Sequence, residues 1–394
     1  MKGKRVLAAG IIAVVFGIAA PGLAQIVENP AKPKAADAGR VIVPEEVLAI
    51  SDEGTSDFYF KSPDHLRTGP DGSLLVRDAD QVLRFDKDGK FLRNLFKKGQ
   101  GPGEMPYPGM PVATDSHIVV FSGYPGKLVF FDRNGRYEKE IAVRAEGQTS
   151  LRLIGYQAGR FYFDRHEFPR TSGDPDFVDN PRTIVAVGDT DGSIAALAAF
   201  VTRAWVVTLG GGGGMFAITS LIAVPFGESL LALAHTEDYL IKLLDPAVNR
   251  VVREFRRAYP RVKGEPLGDI RINNKHYTRP ERKFENDIKN LLTRDGEIWA
   301  VTSTKDKAKG ILIDVFDGDG VYRDGFFLKL PEAAIGNILL PGQSALDGEF
   351  LWIVERSEDG TYTIKKYRVM TSPPEGQSPF GDSPMGCAVT RKIG

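Results

Sequence analysis

Residues 65–95 read HLRTGPDGSLLVRDADQVLRFDKDGKFLRNL. In order they are a short strand at 65–68, a Pro70-Asp71-Gly72 turn, an apolar strand at 73–76 and a loop. A strand at 81–85 follows, ending in Phe85-Asp86, then an Asp88-Gly89 turn and a last strand at 90–95. Asp-Gly and Asn-Gly pairs supply the positive φ that tight hairpin turns need. The runs between the turns are short and rich in β-branched and aromatic residues, as strands are. The stretch therefore reads as four antiparallel strands.

The same order recurs. A second unit runs from Pro111 to Val143, with strands at 118–121 and 127–131 and an Asn134-Gly135 turn. A third, longer unit spans 151–201. A fourth spans 221–257, with strands at 229–234, 239–244 and 250–255. A fifth spans 288–330 and a sixth 338–370. Asp191-Gly192, Asp295-Gly296, Asp319-Gly320, Asp347-Gly348 and Asp359-Gly360 punctuate the later units. A four-stranded sheet cannot bury both faces alone, but radial stacking buries each face against a neighbour and leaves only short edges. Two stacked sandwiches would use similar strands, yet the shared internal order of the units favours the radial arrangement. The prediction is all-β: a six-bladed β-propeller of four-stranded antiparallel blades over residues 41–370. The sixth unit shows three strands, and residues 41–50 have no unit of their own. They are expected to supply the missing outer strand and close the ring, with Pro44 tolerated on an edge. Phe284, Ile288, Leu291 and Leu292 repeat at helical spacing behind Pro280, which predicts one short helical insertion over 279–293.

Residues 95–105, Leu-Phe-Lys-Lys-Gly-Gln-Gly-Pro-Gly-Glu-Met, followed by Pro111-Val112-Ala113, resemble the inter-blade signature of bacterial six-bladed β-propeller proteins related to the NHL-repeat propellers. The Pro-Asp-Gly, strand, Phe-Asp-x-x-Gly grammar of the first unit is similar to an NHL repeat. The resemblance covers the first two and last two units and is vague in the third and fourth. It implies a propeller that binds through loops on one face.

The ends carry other signals. Lys2, Lys4 and Arg5 precede an almost wholly apolar run at 6–20, and Pro21-Gly22-Leu23-Ala24 follows. This is the three-part pattern of a secretory signal peptide, residues 1–24, cleaved after Ala24. The run falls short of the roughly 20 residues a membrane span needs, so no stable span is expected after cleavage. Residues 25–40 read as a flexible leader, and residues 371–394, with four prolines and little apolar content, as a disordered tail. Export to the periplasm or the medium follows.

The chain has one cysteine, Cys387, so no internal disulfide can form and the fold must rest on its core. Lys plus Arg and Asp plus Glu each number 51, which argues against nucleic acid as the main partner. The glycine-rich stretch 99–104 beside Lys97 and Lys98 lacks the Gly-Lys-Ser/Thr ending of a phosphate loop and reads as a connection between blades. Five glycines at 210–214 read as a loose loop between units three and four. The turns at 86–89 and 317–320 superficially resemble calcium loops. A calcium loop needs a glutamate six residues past its glycine, and here Leu95 and Phe326 stand there. The five histidines form no HExxH or i, i+4 pair, and no Gly-x-Ser-x-Gly elbow occurs.

What remains for a site is the set of polar and aromatic residues near inner strands and loops. These are His65, Arg67, Tyr107, Tyr124, Arg165, His166, Arg203, Trp205, His276, Tyr277 and Arg279. Tyr, Trp and Arg suit binding surfaces because they combine large contact area with a polar handle. The leading expectation is a non-enzymatic binding module for a protein, peptide or glycan, without a cofactor. The rival is a lactonase-like propeller hydrolase or lyase with a divalent metal in the channel, its ligands drawn from separate blades. N-terminal sequencing of the exported protein is expected to begin at Gln25, and an intact Met1 end would overturn the cleavage reading.

Overall fold

The computed structural model describes residues 25–123, 126–143, 149–167, 176–209, 212–265, 268–272, 275–279 and 281–369. The described residues begin with three strands that join sheets formed much later in the sequence: β1 (Gln25–Asn29), β2 (Val41–Ile42) and β3 (Glu45–Ile50). The first sheet is β4 (Asp64–Thr68), β5 (Leu74–Asp78), β6 (Gln81–Phe85) and β7 (Phe91–Asn94). The second is β8 (Met110–Ala113), β9 (Ile118–Ser122), β10 (Lys127–Phe131) and β11 (Tyr137–Ala142). The third holds β12 (Thr149–Gln157), β13 (Arg160–Glu167), β14 (Asp176–Gly188), β15 (Ile194–Leu209) and β16 (Gly212–Ala217). The fourth holds β17 (Ile222–Phe226), β18 (Leu230–Ala234), β19 (Ile241–Asp245) and β20 (Arg250–Arg257), with β1 added parallel to β20. A small hairpin, β21 (Asp269–Ile272) and β22 (Lys275–Thr278), comes next. The fifth sheet is β23 (Ile288–Arg294), β24 (Glu297–Asp306), β25 (Gly310–Asp317) and β26 (Tyr322–Leu328), with β2 parallel to β26. After α1 (Glu332–Ile338), the sixth holds β27 (Ser344–Asp347), β28 (Phe350–Arg356) and β29 (Tyr362–Arg368), and β3 pairs antiparallel with β29.

The apolar runs explain the stacking. In β5, Leu74 and Val76 face one way and Leu75 the other, as strand side chains must. All three are fully buried, so both faces of the sheet are covered. The core is accordingly divided into slabs between successive sheets. Leu75 and Val82 meet Ile118 and Val120 of the second sheet. Leu74, Val76, Leu83 and Phe85 meet Trp352, Val354 and Ile364 of the sixth, with Ile50 of β3 beside them. Like slabs join the second to the third sheet, the third to the fourth, the fourth to the fifth and the fifth to the sixth.

The Asp-x-x-Gly turns serve as hairpins and as contacts between sheets. Asp86 Oδ1 accepts hydrogen bonds from the backbone N–H of Asp88 (3.0 Å) and Lys90 (2.9 Å), and Asp317 Oδ1 does the same for Asp319 and Val321 (both 2.9 Å). Gly89 and Gly320 then take φ of +79° and +75°. The first turn lies on β3, the fourth strand of the sixth sheet, and the second on β20, the fourth strand of the fourth sheet. A Cβ at Gly89 would sit 2.8 Å from Leu48 Cδ2 of β3, and one at Gly320 2.7 Å from Phe255 Cδ1 of β20. Outer-strand arginines fasten the same contact. Arg93 donates to Gly135 O (2.9 Å), and Arg253 donates to Gly318 O and to Asp319 (3.0 Å).

Two expectations are corrected. Residues 279–293 are not a helical insertion: 288–294 form β23, and the helix among the described residues is α1. The helical spacing came from a strand buried on both faces. Leu291 packs toward the fourth sheet and Leu292 toward the sixth. A register shift between Ile288 and Asn290 returns Ile288 to the same face as Leu291, three residues away. Residues 25–40 are not a loose leader. β1 hydrogen-bonds along β20, Asn29 Nδ2 donates to Gly320 O (2.8 Å), and Arg40 holds Asp324 through two hydrogen bonds (2.8 and 2.7 Å). Unpaired outer edges attract strands, and this segment has two of them to lie on. Of the five glycines, 212–214 belong to β16, paired with β15 rather than linking two units. Residues 1–24, 210–211 and 371–394 lie outside the described residues.

Between the fourth and fifth sheets, buried Asp314 accepts hydrogen bonds from Tyr239 Oη (2.7 Å), Tyr322 Oη (2.6 Å) and Arg257 Nε (2.8 Å). The Arg257 guanidinium also lies over the rings of Tyr239, Tyr259 and Tyr322 at 4.8–5.1 Å. Asp314→Ala leaves that cation buried without its carboxylate and is expected to cost about 3–5 kcal/mol in urea unfolding at pH 7. A loss below about 1 kcal/mol, the range of an exposed pair, would remove the cluster from the account of how these sheets are joined.

Candidate functional site

The innermost strands β4, β8, β12, β17, β23 and β27 touch one another in that order, and β27 returns to β4. They enclose a channel cavity of about 240 Å³. At the end where these strands begin, a second cavity of about 390 Å³ opens, and the two share Arg152, Ile222 and Pro341. This end is the mouth considered below.

The charged side chains that line the two cavities, among the described residues, are all basic: Arg67, Arg152, Arg182, Arg282 and Lys289. Two carboxylates lie behind them. Asp164, fully buried on β13, is held by Arg182 through both oxygens (2.9 Å for Nε to Oδ1) and by Arg152 at 3.3 Å. Arg152 also donates to Leu221 O (2.6 Å). Glu285 takes Lys289 and Arg282, the latter at 3.4 Å. Burial pushes the Glu285 carboxyl up, but the hydrogen bond and charge of Lys289, with Arg282, hold it below the usual carboxylate range. Arg282 also donates to Ile218 O (3.1 Å) and Asn286 to the same oxygen (2.9 Å). Arg282 Nε and Asn286 Oδ1 are buried without a protein partner among the described residues. Two carboxylates thus answer five cations.

One wall of the mouth is taller than the rest. β14 and β15 continue past the ring, pairing Asp176 with Val206 and Asn180 with Thr202, and β16 adds to β15 there. Trp205, Val207 and Ile218 form a small core of their own, with Phe216 and Tyr277 packed against it. A cavity of about 270 Å³ lies on this wall, lined by Trp205, Met215, Phe216, Ala217, Ile218, Arg279 and Arg282. Trp205 and Phe216 have ring centroids 5.6 Å apart, and the Arg279 guanidinium lies 4.9 Å over Phe216. Arg282, Ala217 and Ile218 belong to this cavity and to the mouth alike.

The residues expected from sequence therefore divide. His65 and Arg67 line the channel. Trp205, Tyr277 and Arg279 meet on the wall, with Arg203 on the same strand, exposed and 4.8 Å over Phe177. His276 is exposed on the β21–β22 hairpin. Arg165 and His166 pair with Leu151 and Ser150, at the mouth end of β12. Tyr107, in the connection before β8, is exposed and lines none of the three cavities. Tyr124 lies outside the described residues. Arg152, Arg182, Arg282 and Lys289 were not singled out. A signal for Arg152 did exist: Leu151-Arg152 opens the inner strand of the third sheet as Leu66-Arg67 opens that of the first. The stretch 99–104 cradles its own anion, since Glu104 accepts from Gly101 N–H (3.0 Å) and pairs with Lys97 (2.8 Å).

Among the described residues no group of three or more His, Cys, Asp or Glu gathers in the manner of a metal centre. No helix there is long and apolar enough to cross a membrane.

By sequence, no protein-family model and no curated protein matches the chain. By structure, a protein of Bacteroides fragilis described as exported superposes with a TM-score of 0.50 at 11% identity, covering 88% of this chain and 100% of that one. The fold is a β-propeller. A gluconolactonase from Xanthomonas campestris gives a TM-score of 0.42 at 15% identity over 86% of this chain and 99% of that one. The first likeness shows the fold alone, and the second is too loose to carry an argument about this propeller's chemistry.

His65 sits at φ +48° on β4. Burial, with the charges of Arg77, Arg67 and Arg152, pulls its pKa well below 6.5. Asp64, 4.0 Å away, is already engaged by Arg77 (2.7 Å). The native ring therefore stays neutral while the unfolded chain takes up a proton as pH falls below 6.5, so stability drops with pH in that window. Asn tolerates positive φ, so His65→Asn is expected to flatten part of the fall in Tm between pH 7 and 5. His166 and His235, also lowered by burial first, keep the remainder. Identical slopes in the two proteins would sink this assignment.

Proposed function

We propose that this chain is an exported, non-enzymatic binding propeller whose channel mouth receives the acidic part of a protein, peptide or glycan. In this reading the six sheets are six blades of one ring, and β3 closes it as the outer strand of the last. The observation that carries the function is the mouth cavity, lined by Arg152, Arg182, Arg282 and Lys289 with no described carboxylate in its lining. Cations gathered in a concave, low-dielectric setting draw anions and orient them. The tall wall supports an extended ligand, because its aromatic cavity adjoins the mouth through Arg282. Export rests on the basic, apolar and small-residue pattern of residues 1–24. Periplasm and medium are equally compatible with it.

The donor set does not suit the divalent cation of a lactonase-like enzyme. Such an ion takes six to eight oxygen ligands, most of them carboxylates and carbonyls, and the charged groups that face this channel are guanidinium and ammonium. No cofactor is proposed.

The test is an array of acidic, neutral and basic peptides and glycans, probed with the mature protein at low and high salt. Acidic members are expected to be retained, to be released by salt and to be lost by Lys289→Glu. Retention that ignores ligand charge, or calcium-dependent turnover of a lactone, would overturn the reading.

A further inference from the structure

The channel floor holds a cation with no counter-charge. Arg67 on β4 donates to two backbone carbonyls, Leu66 O (3.0 Å) and Ile154 O (3.2 Å), and makes no ion pair with any described residue. A guanidinium offers five N–H donors, so most of its donors are not used by the described chain. Arg152 lines the same cavity from β12, and its own carboxylate, Asp164, is shared with Arg182. Burial and the nearby charge of Arg152 pull the Arg67 pKa down to about 10. The side chain is thus still charged at neutral pH, and costly to keep so.

A charge drawn partly out of water without a partner weakens a fold, and Arg67 is half-buried. The ordinary remedy is a carboxylate on a neighbouring strand, and β8, β17, β23 and β27 place none in the cavity. The polar groups that the inner strands supply are neutral: Thr68, Asn290, Thr293 and Ser344 line it as well. Asn290 Nδ2 already donates to Ile338 O (3.0 Å) and Ser344 Oγ (3.4 Å). A small anion between the two guanidinium groups would relieve their mutual repulsion and take up the idle donors. Arginine matches oxyanions well, because its planar fork donates two parallel hydrogen bonds.

We propose that Arg67 and Arg152 form an oxyanion site inside the channel, which takes one carboxylate, sulfate or phosphate group of the ligand that the mouth receives. The site rests on the binding function proposed above and deepens it. The mouth collects negative charge, and the channel reads one terminal oxyanion.

The test is thermal unfolding of the mature protein in sodium chloride at constant ionic strength, titrated with acetate, sulfate or phosphate. The wild type is expected to show a saturable rise in Tm with one of the three, and which one names the group. In Arg67→Met that rise disappears, and in Arg152→Gln the anion binds at least about tenfold more weakly, the loss of one charge-assisted hydrogen bond. Arg67→Met without any oxyanion is expected to unfold at or above the wild-type temperature, since it removes an unpaired, half-buried charge. An Arg67 that merely braced the strands would give a lower Tm instead. Equal responses in wild type and Arg67→Met, or a destabilised Arg67→Met with no anion response in the wild type, would overturn the site. If acidic ligands are retained at the mouth while the wild type ignores all three anions, the oxyanion site fails and the binding function stands. If an anion is bound but no array member is retained, the site stands and that function fails.

Discussion

The first, second, third and fifth sheets each reach the preceding one through a hairpin turn laid on its fourth strand, and the arrangement depends on that contact. The apolar slabs supply most of the burial, but an apolar face has no preferred partner and no preferred register. The turn provides both. Its aspartate folds the backbone over so that a glycine can press on Leu48 or Phe255 at a distance that leaves no room for a side chain. Arginines on the outer strand then hold the turn's carbonyls. The strand under Gly89 is β3, which comes from the same end of the chain but belongs to the sixth sheet, and it meets the turn as β20 meets Gly320. The Asp314 cluster adds a buried polar lock between the fourth and fifth sheets, satisfied on every side by two tyrosines and an arginine.

This geometry decides where the site lies. Sheets fastened at their outer edges point their inner strands at a common axis, so single residues far apart in sequence meet there. Arg67, Arg152 and Lys289 come from the first, third and fifth sheets. The cations accumulate because the inner strands are short and their side chains face a cavity rather than a slab of core. The wall built from β14, β15 and β16 makes the mouth asymmetric.

Much of the fold was legible because burial on both faces leaves unbroken apolar runs, such as Leu74-Leu75-Val76 and Leu128 to Phe131, between unmistakable turns. The same double burial hid β23, where Leu291 and Leu292 face opposite slabs and a register shift imitated a helical period. Edge pairing of β1 left no mark in composition, since a strand on an outer edge needs few apolar residues: three of the five in Gln25-Ile26-Val27-Glu28-Asn29 are polar. At the site, His65 and Arg67 were visible as polar residues in an inner strand. Arg182, Arg282 and Lys289 were not, because nothing in linear spacing says that a strand end, a loop and another strand share one cavity.

The early strands carry one more consequence, for the order in which the molecule can be completed. β1, β2 and β3 are made first, yet their partners are β20, β26 and β29, and β29 ends at Arg368. Contacts that span nearly the whole chain close slowly, since the intervening loop must first be paid for in entropy. β1 must therefore wait for the fourth sheet, β2 for the fifth and β3 for the sixth. The last of these pairings, β3 on β29, cannot form until the strand that ends at Arg368 has been made.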